Sequence, residues 1–111
     1  MQMSKQDTLQ FIYHFEPIRP ELLTDPDAWT EEDNSTGAAH FAYLQKATRE
    51  GIVLLAGRSQ DGVGPAIVIF EAESEEAARQ FMENDPFVAG GLMRAYLHPF
   101  RAALVRDQSS R

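Results

Sequence analysis

From Leu9 to Phe15 the chain alternates, with Leu9, Phe11, Tyr13 and Phe15 on one side and Gln10, Ile12 and His14 on the other. That period of two predicts a β-strand with two dissimilar faces. Glu16 to Asp27 then carries Pro17, Pro20 and Pro26, which should exclude regular structure and leave a long loop. Thr30 is a plausible helix cap, and Glu31, Glu32 and Asp33 suit the positive end of a helix dipole. Poor helix formers at Asn34 to Gly37 invite a kink, after which the helix should run to about Glu50 and stop at Gly51. On a helical wheel of ~100° per residue Phe41, Leu44 and Thr48 form one apolar stripe, with His40 at its edge beside Leu44 and Ala47.

Ile52 to Ala56 is short and wholly apolar, which predicts a buried strand, and Gly57 to Pro65 has the glycine content of a hairpin connection. Ala66 to Ala72 is the next strand. Ser74 caps a second helix that should end at Asn84-Asp85-Pro86, because a residue before proline is pushed out of helical geometry. Phe87 to Gly91 is expected to be a turn, and Leu92 to about Pro99 a last strand that ends, or lies at an edge, at the proline. The order strand, helix, strand, strand, helix, strand implies a ferredoxin-like α+β fold, a four-stranded antiparallel sheet with both helices on one face. Yet Ile52 to Leu55 and Ile67 to Phe70 are apolar on both faces. Two helices can cover only one face, so the other should pack on the sheet of a second copy.

Composition narrows the function. The 111 residues suffice for one domain, expected over 9–105 between a flexible N-terminus (1–8) and a flexible tail (106–111). A formal charge of −7 without a run of Lys or Arg disfavours nucleic acid and an anionic membrane surface. The absence of Cys excludes disulfides, thiolate metal sites and a Cys nucleophile. The opening MQMSKQDT has no apolar signal region and no apolar run approaches the ~20 residues of a membrane span, so a cytoplasmic location is expected.

Several short motifs recur together: Arg19-Pro20, His40-Phe41-Ala42-Tyr43-Leu44, Gly51, Leu55-Ala56-Gly57, Asp85-Pro86-Phe87, Gly91 and His98-Pro99-Phe100. Singly they are weak; in this order and spacing, across roughly residues 9–104, the chain closely resembles the YciI-like (YCII-related) proteins. The resemblance implies a dimeric α+β barrel and a suspected active site made of a His–Asp pair, which maps onto His40 and Asp85. Two departures bear on the ligand: Arg58 follows the Ala-Gly where many relatives have Pro, and the loop from Glu16 to Thr30 is longer than in the shortest members.

A carboxylate holding one imidazole nitrogen fixes the tautomer and frees the other nitrogen for general acid/base work. The alternative is a buried histidine satisfied by a structural carboxylate, with Asp85 capping the Pro86-Phe87 turn. Arg19 and Arg58 are candidates to bind an anionic ligand group, and solvated arginines otherwise. Tyr43, one turn from His40, would line the same pocket or be a core aromatic with a wet hydroxyl. His98, before a proline, is a candidate ligand contact or a dimer contact. His14, His40 and His98 lack the spacing of a metal site, so neither a metal nor a cofactor is expected. The leading expectation is a small enzyme of lyase, isomerase or hydrolase type that acts on a small organic acid or ring compound, with itself and that ligand as partners. A non-catalytic binding or accessory dimer would use the same pocket.

Overall fold

The computed structural model describes residues 8–106. The expected flexible ends therefore lie outside the described residues, apart from Thr8 and Arg106. Strand β1 spans Leu9–Pro17, helix α1 Glu31–Arg49, strand β2 Val53–Arg58 and strand β3 Ala66–Ala72. Helix α2 spans Glu75–Glu83, the single-turn helix α3 Pro86–Ala89 and strand β4 Met93–Phe100. All three strand pairings are antiparallel in the order β2-β3-β1-β4, which is the ferredoxin-like arrangement.

The alternation in β1 separates the two faces of this sheet. Phe11 and Tyr13 are buried under the helices with Val53, Val68 and Phe70, and Leu44 and Ala47 of α1 and Ala78 and Met82 of α2 close the core above them. Ile12, paired with Ile69 and with His98, points to the opposite face, and so does His14, opposite Ile67 and Tyr96. Among the described residues no second element covers that face. An irregularity between Val53 and Leu55 shifts the register of β2, which puts Val53 in the core and Leu55, beside Ile69, on the open face.

Several elements depart from expectation for local reasons. Helix α1 runs unbroken through Asn34 to Gly37, because Thr30 and Asp33 form a reciprocal capping box that anchors its start. The proline-rich loop contains two 3-10 turns, Pro20–Leu23 and Pro26–Ala28, each with proline at the start, where its missing N–H costs nothing. Beyond Asp85 the expected turn is helix α3, again opened by proline. Its end is so tight that a Cβ at Gly90 would stand 2.8 Å from the Pro86 carbonyl of its own turn and 3.3 Å from Thr36 of α1. Glycine permits this contact. No helix among the described residues is long and apolar enough to cross a membrane.

Candidate functional site

The site is assembled where α3 meets α1 above the β1–β4 end of the sheet. Asp85 caps α3, its Oδ1 accepting from the amide of Phe87 at 3.0 Å. The same oxygen lies 2.7 Å from His40 Nδ1 on α1. Its Oδ2 accepts from the hydroxyl of Tyr13, on β1, at 2.8 Å. Asp85 is completely buried, and these three donors satisfy its carboxylate without a permanent cation. The structural and the chemical readings of Asp85 are therefore both realised: one carboxylate caps the turn and holds the imidazole.

A carboxylate only accepts, so the neutral imidazole of His40 carries its proton on Nδ1 and keeps Nε2 as the free basic nitrogen. The ring is held on its flat side as well, stacked on Phe87 with centroids 3.8 Å apart and planes at 16°. Phe15 meets it edge-on at 5.6 Å. His40 retains 16% side-chain exposure and lines a groove of about 1360 Å³. The nearby walls are aromatic and apolar: Phe15, Leu22, Trp29, Phe41, Phe87 and Met93. The far end is built by the β2–β3 hairpin, where Arg58, Val63 and Ala66 line the same space. The hairpin tip leans on the first 3-10 turn, with a Cβ at Gly62 falling 3.4 Å from the Leu23 carbonyl.

The sequence-derived candidates divide. His40 and Asp85 are brought together, and Arg58 lines the groove with His40, at its exposed rim. Arg19 does not line it: its guanidinium is bound to Asp33, the capping-box residue of α1, with Glu21 at 3.9 Å. A charge that staples the loop to the helix start is already engaged. Tyr43 also turns away, donating to the Phe81 carbonyl at 2.8 Å and stacking on the Phe81 ring. His98 lies on the opposite face of the sheet, its ring parallel to that of His14 at 5.4 Å. Among the described residues no group of three or more metal-ligating side chains converges.

Sequence reasoning missed Tyr13, Phe15, Trp29 and Phe87. The alternation marks Tyr13 and Phe15 only as one face of a strand, and the Asp85-Pro86-Phe87 motif signals a carboxylate and not a ring. The apolar stripe of α1 was also misphased. Phe41 is 66% exposed and lines the groove, while Leu44 and Ala47 carry the burial.

The chain belongs to the YCII-related domain family, whose profile matches residues 16–98. No curated protein matches the sequence. Among solved structures, 5-chloro-2-hydroxyhydroquinone dehydrochlorinase from Burkholderia phenoliruptrix AC1100, in complex with 2,5-dihydroxybenzoquinone, is similar at 24% identity. That match covers 84% of this chain and 94% of the dehydrochlorinase with a TM-score of 0.62, a likeness of fold. SnoaB, a cofactor-independent oxygenase from Streptomyces nogalater, matches at 16% identity over 89% of this chain and 96% of its own, with a TM-score of 0.45.

Proposed function

We propose that this protein is a small-molecule enzyme in which His40 moves protons to and from a bound substrate and Asp85 orients it. The carrying observation is the position of the pair at the edge of the groove: Asp85 is fully buried, whereas His40, 2.7 Å from it, reaches the apolar space. A purely structural histidine would gain nothing from a ring that opens onto a groove. Proton transfer by a placed imidazole contributes about 10²–10⁴-fold to a rate, enough for elimination, isomerisation or ring hydrolysis of an activated substrate. The aromatic walls around His40 suit a planar ring, and Arg58 offers a cation for an acidic substituent at the rim. The shared fold with a dehydrochlorinase supports this substrate size and type of reaction.

The test is turnover against a panel of small ring compounds: halogenated hydroquinones, lactones and aromatic acids. Conversion of one member by the wild-type protein, and its loss in His40→Asn, is the expected result. Saturable binding of a ligand that no condition converts would instead make the groove a binding site and overturn the enzyme assignment.

The open sheet face belongs to the same proposal. It carries Ile12, Ile67, Ile69 and Leu55 with Tyr96 and the His14–His98 pair, and a second copy of the chain is its proposed cover.

A further inference from the structure

Tyr13 stands at the centre of the sheet with no exposed surface, its ring edge-on to Phe15, Phe70 and Phe81. A buried phenol needs an acceptor, and a backbone carbonyl would serve, as it does for Tyr43 in the same core. Tyr13 instead donates to Asp85 Oδ2, the one oxygen of that carboxylate which His40 and the Phe87 amide leave free. Burial, with the Asp85 carboxylate beside it, pushes the Tyr13 phenol far above its ordinary range. The hydroxyl is therefore a permanent donor at any working pH.

We infer that Tyr13 is a positioning residue for His40, acting through Asp85: its hydroxyl disperses the carboxylate's charge, fixes its plane and thereby sets how firmly the imidazole holds a proton. The inference rests on the reading of His40 as the proton carrier and extends it to a residue that never meets the substrate. The sign follows from electrostatics. An Asp85 relieved of the Tyr13 hydrogen bond concentrates its negative charge on a buried site. The charged imidazolium beside it is then favoured over the neutral ring.

The test reads the ring nitrogens of His40 by ¹⁵N NMR as a function of pH, which needs no substrate. Tyr13→Phe removes only the hydroxyl and should raise the midpoint of the His40 titration by about half a unit to one unit. Tyr43→Phe deletes a hydroxyl of the same core that bonds a carbonyl, and should leave the midpoint within about 0.1 unit. Replacing the tyrosines with 3-fluorotyrosine, whose hydroxyl is a stronger donor, should move it down. This second arm keeps the test decisive should Tyr13→Phe fail to fold. A midpoint that stays fixed under either change overturns the inference. That outcome leaves the enzyme proposal intact, because the loss of turnover in His40→Asn is independent of it. A titration that shifts in a protein that never turns over a substrate would show the reverse.

Discussion

The imidazole of His40 lies flat against the ring of Phe87, 3.8 Å between centroids, two residues beyond the carboxylate that holds its Nδ1. One turn of helix, Pro86–Ala89 with its Asp85 cap, thus controls both the edge and the face of the ring. The stack limits rotation about the Asp85 hydrogen bond, which a single hydrogen bond would not. Trp29, 6.3 Å from Phe87, backs the stack from the loop, and its indole N–H is anchored on the Leu22 carbonyl at 2.9 Å. The loop that Arg19 staples to α1 therefore supports the site without touching its chemistry.

His40→Asn should abolish turnover and spare the fold. Asn keeps a donor for Asp85 but loses the stack on Phe87, so a stability loss of about 1 kcal/mol is expected. Leu44→Ala, which opens a cavity in the main core, should cost about 2–5 kcal/mol. The rate should fall about a hundredfold or more in the first variant and follow the folded fraction in the second. Thermal melts and turnover on the same samples check this. A His40→Asn protein as unstable as Leu44→Ala would make the histidine structural.

Asp85→Ala should damage the protein more than His40→Asn does. It strands the Tyr13 hydroxyl, the Phe87 amide and His40 Nδ1 in a buried place, and it removes the cap of α3. A loss of about 3–5 kcal/mol is expected in urea unfolding. Asp85→Asn keeps the volume and one good acceptor and should lose roughly half as much. It should still lose most activity, because the amide can donate to Nδ1 and stabilise the wrong tautomer.

The strand order, both main helices and the His40–Asp85 pairing were within reach of the sequence, for different reasons. Strand alternation and the Thr30, Ser74 and Gly51 signals are local, and local chemistry decides those boundaries. The pairing of residues 45 apart came only through the family resemblance. What stayed hidden depended on tertiary neighbours. A helical wheel cannot tell that the groove, and not the core, takes Phe41. Nor does a proline-rich loop announce that its arginine will find a buried aspartate at the next helix start. In the sequence Tyr13 is only one position on an alternating strand face, because its acceptor lies 72 residues away.

Acid should weaken the loop–helix staple that Asp33 anchors. The Thr30 amide, followed by the Arg19 guanidinium, holds the Asp33 carboxyl below its ordinary value of 3.8. A native value below the unfolded one means that its stabilising contribution is complete above about pH 5. That contribution is lost as pH falls through the lowered native value. Asp33→Asn should therefore be less stable than wild type near neutrality, with the difference shrinking as pH drops toward about 2. Urea midpoints at a series of pH values read the effect. A difference that is constant with pH would assign the loss to geometry and not to charge.

The open sheet face predicts a homodimer. Ile12 and Ile69 face each other across β1 and β3, with Ile67, Leu55 and Tyr96 around them, and Leu55 alone is 52% exposed. A stable interface takes about 800 Å² from each copy, and a four-stranded sheet face of this composition can supply it. Light scattering at micromolar concentration should give twice the 12.5 kDa chain mass. Ile69→Asp places a charge at the middle of that face, where it would have to be desolvated by the partner. It should give a monomer whose far-ultraviolet circular dichroism is unchanged, because the helices and the core lie on the other side of the sheet. A wild-type chain that is monomeric and well folded would mean that this apolar face tolerates water, and the two-faced pattern of β2 and β3 would then need another cause.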